Sequence, residues 1–490
     1  MSADDRAVGE PERLHPLFLL TGLGGAIRGM AGGYAFIAYL AIRGQLETAL
    51  FGAVALFVLL ALGLVLYWRR FEYRVGESEI RIDSGIFSRT HRSIPFDRVQ
   101  DVDISQGPVA RLLGLAKVKF ETGGSGGRDE GVLQAITLER AQQLRELVRS
   151  RRSSTAAAAS QVEEADRPPV FAMDLPRLLL AGVFNFSLAV FAGLFGLTQT
   201  VGDVIGFDPF SRRFWDRVLS ESAPIQAFIL ANRLIMAIAG VVSLVLIGLA
   251  AGIVRTVLRD YGFRLDRTDA GLRRRRGLLN RTDVSLPVAR AQAAIVATGP
   301  VRERFGWSEL KLQSLARDEG GSGDHVLAPL ASAGETASVL EALGWRPLPE
   351  AIAWRRVSSA YVLILAVALV PIMLAGAAEL AFVPIAGGLS ILLPLGAIAV
   401  RWLAWRRTGY ALDGDRLLIR TGWWRRRTLI LPLRRIQSVD LAQSFIARWF
   451  GTASLVFGIA GAGAVQVNAI PALPEKTARA LRRELLSSGP

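Results

Sequence analysis

The sequence predicts α-helical membrane hairpins alternating with β-rich domains: six transmembrane helices and three domains, each domain ending in a helix. Three observations predict it. The stretch Ile94–Thr122 (IPFDRVQDVDISQGPVARLLGLAKVKFET) has two ungapped copies, one at Leu286–Ser314 and one beginning at Leu431. Each copy is preceded by a pair of long apolar stretches. Around each copy, apolar and polar residues alternate with the period of two that marks half-buried strands. A recurrence this long is a unit of architecture rather than a local motif.

Composition agrees. The 490 residues are 51% hydrophobic, with a mean hydropathy of +0.34, yet 21% are charged. The chain is too apolar for an ordinary soluble protein and too charged for a purely membrane-embedded one. A net charge of +15 calls for an anionic partner, either nucleic acid or the cytoplasmic leaflet of a membrane. With no cysteine, disulfides, thiolate metal sites and thiol nucleophiles are excluded. The histidines, His15, His91 and His325, are far apart and read as surface or loop residues, with no carboxylate spacing to complete a zinc site. No metal and no cofactor is expected.

The acidic start MSADDRAVGEPERLHP lacks the basic region and cleavage site of a signal peptide and reads as a short cytosolic tail. The first hairpin, within 1–70, pairs Leu17–Ile42 with Leu46–Trp68, closed by Arg69 and Arg70. Arg28 snorkels near one interface, and Gly22, Gly24, Gly25, Gly29, Gly32 and Gly33 permit close helix contact. The first β-rich domain, 71–152, carries expected strands at Tyr73–Val75, Glu79–Asp83, His91–Pro95, Val99–Ile104, Ala116–Glu121 and Val132–Ile136. Its closing helix, Leu138–Arg149, has the apolar stripe Leu138, Ala141, Leu144, Leu147 and Val148.

The low-complexity stretch 153–170 reads as a flexible linker. A second hairpin, 171–254, uses Leu178–Val201 and Leu234–Val254, joined by a loop containing Phe207–Ser222; a second domain, 255–346, follows. Its terminal helix opens on a capping box, Ser332 with Glu335, and stops at Gly344. The third hairpin, 347–403, pairs Val357–Ala375 with Leu380–Arg401, and the third domain, 404–490, ends in the helix Pro474–Leu486. Arginines flank the hairpins on the domain side (Arg69, Arg70, Arg255, Arg259, Arg401, Arg406, Arg407), so both termini and all three domains are placed in the cytoplasm.

Comparison of the copies separates framework from surface. Gly85, Arg89, Pro95, Arg98, Gln100 and Gly114 recur as Gly277, Arg281, Pro287, Arg290, Gln292 and Gly306, and again as Gly422, Arg426, Pro432, Arg435, Gln437 and Gly451. One face of the strand Ala116–Glu121 keeps its character (Val118 and Phe120; Leu310 and Leu312; Leu455 and Phe457), whereas the other does not (Lys117 and Lys119; Glu309 and Lys311; Ser454 and Val456). That pattern is a half-buried sheet. Arg98 and Gln100 share a strand face, and two readings stand: a shared ligand, or backbone hydrogen bonds at a sheet corner.

Each copy also carries a turn of glycine, two large apolar residues and nearby arginine: Gly85-Ile86-Phe87-Ser88-Arg89, Gly277-Leu278-Leu279-Asn280-Arg281 and Gly422-Trp423-Trp424-Arg425. Such tips either dip into the headgroup region, which tryptophan suits, or pack on the membrane helices or a neighbouring domain. The densest basic runs are Arg273, Arg274, Arg275 and Arg276, and Arg425, Arg426 and Arg427. They read as contacts to anionic headgroups or as solvated strand edges. Nucleic acid is disfavoured, because no recognition helix or base-stacking motif accompanies them.

With the tyrosine-bearing strand and glycine turn before it, IPFDRVQDVDISQGPVARLLGLAKVKFETGG resembles the bacterial pleckstrin-homology (PH) domain of the YdbS/YdbT type of membrane protein. The third copy keeps Leu431-Pro432-Leu433 and Arg435-Ile436-Gln437-Ser438-Val439-Asp440, while the second is degenerate at Ala291, Ala293 and Ala294. The resemblance implies PH-like β-sandwich or barrel domains with a C-terminal helix, a multi-pass protein of the bacterial plasma membrane, a membrane-protein partner of the same family, and a link to envelope stress or antimicrobial-peptide resistance. It supplies no catalytic residues.

Three functions compete. The first is a membrane scaffold or accessory protein whose domains bind lipid headgroups or a protein partner. The second is a transporter component, suggested by Pro371, Pro384 and Pro394 but short of intramembrane charges, with only Arg28 and Glu379 in view. The third is an enzyme. The glycine run Gly123–Gly127 lacks the lysine and helix of a phosphate loop, and the Asp101/Asp103 pair becomes Ala293/Ile295 and Ser438/Asp440 in the other copies. The expectation is the scaffold, without catalysis.

Overall fold

Among the described residues, four helices are long and apolar enough to cross a membrane: Leu46–Arg70, Leu234–Asp260, Ala360–Glu379 and Pro384–Trp405. At 1.5 Å per residue the first reaches about 37 Å, more than the ~30 Å hydrocarbon core. Phe51, Leu59, Val241, Leu246, Leu374 and Leu393 are all exposed on these helices. Apolar residues all around a helix suit lipid, not water. The computed structural model describes residues 10–22, 43–85, 90–122, 131–152, 168–186, 231–268, 271–314, 324–459 and 468–487, with a few positions between 33 and 40 and at 216 and 228. Most of the predicted spans Leu17–Ile42 and Leu178–Val201 therefore lies outside the described residues, as do Arg28, the run Gly123–Gly127, nearly all of Phe207–Ser222 and most of the linker.

The last hairpin is displaced by a few residues from its expected bounds. Its first helix continues to Glu379, and its second starts at Pro384 rather than Leu380. Proline at a helix start lacks only a donor that has no partner there anyway. Both helices run through their internal prolines, Pro371 and Pro394. Their close approach depends on glycine: a Cβ on Gly376 would stand 2.7 Å from Ser390 Cβ, and one on Gly387 2.6 Å from the Gly376 carbonyl.

The chain forms two units, which do not correspond to three self-contained modules. One comprises Met1–Arg167, Met173–Phe263 and Arg275–Ser285; the other comprises Pro168–Ala172, Arg264–Arg274 and Leu286–Pro490. The boundary passes through the middle repeat because strands are shared between repeats.

In the first unit, the first repeat is two sheets around one core. One sheet orders Pro11–Arg13, Glu72–Val75, Glu79–Ser84 and Thr90–Pro95. The other contains Val132–Thr137, Leu115–Thr122 and Val99–Gln106. Tyr73, Ile80, Ile82, Ile94, Val102, Val118, Phe120 and Leu133 meet Ala141, Leu144 and Val148 of the helix Leu138–Arg152 in a single cluster. Pro11–Arg13, within the segment expected to be a short cytosolic tail, is a strand, with Pro11 opposite Arg74 and Arg13 opposite Glu72. Tyr73 Oη donates to Glu12 Oε2 at 2.6 Å, and Arg140 Nε donates to the same oxygen at 3.0 Å. Burial, and then the Glu12 carboxylate, push the Tyr73 phenol well above its usual range, so it remains a donor. The second sheet gains a strand from the next repeat: Arg281 lies opposite Gln106, Thr282 opposite Ser105 and Asp283 opposite Ile104. Arg145 locks this join, donating to Asp283 Oδ2 at 2.9 Å and to the Val102 carbonyl at 3.0 Å.

In the second unit, one seven-stranded sheet runs Asp324–Ala331, Ser308–Ser314, Ala291–Thr298, Arg426–Pro432, Arg416–Thr421, Gly409–Asp413 and Arg355–Arg356. It fuses the later strands of the second repeat to the first sheet of the third. A three-stranded sheet, Ile436–Ala442, Thr452–Ile459 and Ala469–Pro474, completes the third repeat with the helix Glu475–Ser487. Elsewhere in this unit, Phe171–Ala172 pairs with Arg264–Leu265. The helix Ala333–Ala342 has the expected capping box: Ser332 Oγ accepts from Glu335 N, and the Glu335 carboxylate accepts from Ser332 N. Gly344, at φ +73°, follows it. His325 is 1% exposed inside a strand, which corrects its reading as a surface or loop residue.

In the first and third repeats the same contacts tie a membrane helix to its domain. Trp68 Nε1 donates to the Leu14 carbonyl at 2.9 Å, and Trp405 Nε1 to the Val357 carbonyl at 3.1 Å. The backbone amides of His15 and Ser358 donate, each at 3.0 Å, to the carbonyls of Ala135 and Ala472. Those alanines carry positive φ angles, 53° and 47°, in matching strands. The helices Leu46–Arg70 and Pro384–Trp405, and the segments at His15 and Ser358, are thus tied to their domains at the same points.

Candidate membrane-surface site

The tips form because only glycine fits their first position. Gly277 has φ +111° and Gly422 has φ +87°; an added Cβ would lie 1.9 Å from the Asn280 carbonyl oxygen and 2.0 Å from that of Arg425. In the middle repeat the tip lies on the end of a membrane helix, with Gly277 N donating to the Tyr261 carbonyl at 2.8 Å and Leu278 N to the Leu258 carbonyl at 3.1 Å. Leu278 is half-buried there and Leu279 exposed. In the third repeat Trp423 is half-buried, Trp424 is 62% exposed, and their rings stand 5.8 Å apart. Ile86, Phe87 and Arg89 of the first tip lie outside the described residues.

The basic runs differ from the expected four and three surface cations. Arg274 is fully buried and donates to the Val326 carbonyl at 3.2 Å. Arg276 pairs at 3.1 Å with Asp260, which is also fully buried and which Arg259 meets at 2.7 Å. Arg273 and Arg275 are half-buried. A strand alternates its faces, so four consecutive arginines cannot all meet a membrane. In the third repeat, Arg425 and Arg427 are exposed, whereas Arg426 pairs with Glu303, as does Arg407 at 2.7 Å. Burial lowers the Arg407 and Arg426 guanidinium values, but a guanidinium stays charged in any protein setting.

A second set of surface residues was not anticipated. The repeated stretch contains a five-residue helix in each copy: Pro108–Leu112, Pro300–Arg304 and Phe445–Trp449. Each is accompanied by large apolar side chains exposed at the surface. Leu112 is 89% exposed and Val109 is exposed beside it; Val301 and Phe305 are exposed in the second copy; Phe445 and Trp449 are 63% and 69% exposed in the third. The Phe445 and Trp449 rings meet edge to face at 4.8 Å. Arginine accompanies every copy, at Arg111, at Arg302 and Arg304, and at Arg448. The third of these helices packs beside the membrane helix Ala360–Glu379. The signal was present in the sequence, as Phe445 and Trp449 are four apart on a helix too short to bury them.

The recurring arginine and glutamine serve as framework in the later copies. Arg435 Nη2 donates to the Ala289 carbonyl at 2.9 Å, and Gln292 Nε2 to the Arg290 carbonyl at 3.2 Å. The side chains of Gln100 and Asp101 lie outside the described residues. Among the described residues no three His, Asp or Glu side chains gather in a way that would hold a metal ion. Exposed aromatic and aliphatic groups thus lie beside arginine in each repeat, and two of these groups, the middle tip and the third short helix, lie against a membrane helix.

A family model for the bacterial PH domain matches residues 18–152, 225–344 and 360–488. The chain is 25% identical over 472 residues to the UPF0699 transmembrane protein YdbT of Bacillus subtilis (strain 168), covering 90% of each. It is 41% identical over 81 residues to the UPF0699 transmembrane protein YdbS of the same organism, covering 16% of this chain and 46% of that one. No solved structure matches.

Proposed function

From the premise that the chain belongs to the bacterial PH domain family, we propose that it is a non-catalytic scaffold or accessory protein of the plasma membrane. Six spans carry three cytoplasmic PH-like domains, and those domains rest on the inner leaflet and bind anionic headgroups. The observation that carries this reading is the repeated placement of exposed apolar residues next to arginine. Leu112, Phe305, Trp449, Leu279 and Trp424 would cost free energy in water, and the third short helix packs on a membrane helix. Each cation at the surface of an anionic leaflet adds about 1 kcal/mol. Three linked sites need not each be strong, because the tether raises their effective concentration. The transporter alternative draws less support, since the described helices of the third hairpin are continuous through their prolines.

The test uses the full chain. Extracted from the membrane in polymer-bounded nanodiscs, it should carry an annulus enriched in anionic phospholipid. Trp423→Ser with Trp424→Ser, and separately Arg425→Gln with Arg427→Gln, should each lower that enrichment. An unchanged ratio of anionic to zwitterionic lipid in both variants rules out headgroup binding.

A further inference from the structure

Among the described residues, the repeats are joined twice by the same device, and the corresponding strands of the first and last repeats lie at sheet edges. Strand Arg281–Pro287 adds to Val99–Gln106, and strand Arg426–Pro432 adds to Ala291–Thr298, both antiparallel. The two joins share one register. Arg281 and Arg426, each four residues after its tip glycine, lie opposite Gln106 and Thr298, each eight residues before the glycine that follows its short helix. The corresponding strands at the two ends are Thr90–Pro95 and Ile436–Ala442. Among the described residues, each is the terminal strand of its own sheet.

Burial records the difference between a joined edge and an open one. Ala293 and Ile295 are buried in the joined strand, while their counterparts in the third repeat, Ser438 and Asp440, are half-buried and exposed. Thr282 is buried and its counterpart Thr90 is exposed.

We propose that the open strand Ile436–Ala442 of one copy pairs with the open strand Thr90–Pro95 of a second copy, head to tail, in the register the chain uses twice internally. That register sets Ala442 opposite Thr90, Leu441 opposite His91, Asp440 opposite Arg92, Val439 opposite Ser93 and Ser438 opposite Ile94. Edge strands often carry charge to repel a partner. Here the facing charges, Asp440 and Arg92, are opposite in sign, which favours pairing across strands. A second copy supplies both edges, and a head-to-tail contact of this kind propagates into a ring or a row. The pairing rests on backbone hydrogen bonds and does not depend on the lipid reading.

The natural chain has no cysteine, so crosslinking needs no prior substitution. Two differently tagged full chains, one carrying Thr90→Cys and the other Ala442→Cys, are co-expressed in membranes and mildly oxidised. Both positions are exposed, so folding is not at risk. Directly opposed residues lie about 4.5–5.5 Å apart between Cα atoms, within disulfide reach. The expected product is a disulfide-linked dimer carrying both tags, with none when Ser438→Cys replaces Ala442→Cys. In a chain carrying both Thr90→Cys and Ala442→Cys, the expected product is a ladder of multimers. Asp440→Arg should lower the crosslink yield about two- to fivefold, and Arg92→Asp added to it should restore the yield. Absence of the two-tag dimer, a double-cysteine chain that crosslinks only within itself, or crosslinking only to a different protein would each overturn the proposal.

Discussion

Asp260 ends a membrane helix and meets Arg276, the last residue of the strand before the middle tip, and its removal should be costly. Its side chain is fully buried and holds two cations: Arg276, whose side chain is only 11% exposed, and Arg259, at 42%. Breaking a buried ion pair from one side typically costs about 3–5 kcal/mol, because the remaining charge has lost its partner in a poorly solvated place. Arg259 can turn to water, so its share is discounted. Arg276 cannot, and it sets the expected loss for Asp260→Ala at about 3 kcal/mol. Arg276→Met in the same chain removes the buried charge that faced Asp260 and should recover most of that loss, leaving a deficit of about 1 kcal/mol. Denaturant unfolding of the purified full chain in detergent, followed by tryptophan fluorescence, measures both variants. The reasoning is refuted if Asp260→Ala unfolds with the parent chain, or if the double variant is less stable than Asp260→Ala alone.

Other expected outcomes follow from single residues. Ala472 has φ +47° and its carbonyl accepts from Ser358 N; Ala472→Val should therefore lower the unfolding midpoint, while Ala472→Gly should match or slightly exceed the parent. Gly422→Ala meets the Arg425 carbonyl oxygen and should destabilise the third tip by about 1–3 kcal/mol, visible as faster proteolysis after Arg425. The hydrogen bond from Ser93 Oγ, and then the Arg81 guanidinium, hold the Glu79 carboxyl below the usual glutamate range. Its contribution is therefore complete above the ordinary value of 4.5 and is lost as pH falls through the depressed one. Glu79→Gln should flatten that acid-side loss in unfolding midpoints measured against pH, without changing the slope above it.

Much of this architecture was legible, for physical reasons that differ by element. The strands of the first repeat, expected at Tyr73–Val75, Glu79–Asp83 and His91–Pro95, lie at Glu72–Val75, Glu79–Ser84 and Thr90–Pro95, because alternation over four or more residues is a strong signal. The faces inferred by comparing copies also hold, with Val118, Phe120, Leu310, Leu312, Leu455 and Phe457 all buried. Strands of two or three residues, such as Pro11–Arg13 and Arg355–Arg356, have no readable period; they exist because a longer strand offers an edge. The joins between repeats left no local trace, since Gln106 and Arg281 are brought together only by the fold. The arginine run at 273–276 misled because composition does not show that Arg274 faces inward. The short helices carried a legible signal in Phe445 and Trp449, hidden by their position inside a stretch otherwise dedicated to framework.

The most direct measurement of the central claim is the depth of Trp424 and Trp449 in the bilayer. The full chain is reconstituted with phospholipids brominated near the headgroup end of the acyl chain, and quenching is compared with that of the Trp424→Phe and Trp449→Phe chains. Residues seated in the headgroup layer predict that each substitution removes a strongly quenched component, larger when the lipid is anionic. If the parent and both variants are quenched to the same fraction, these tryptophans lie in water or against protein, and the domains do not rest on the membrane.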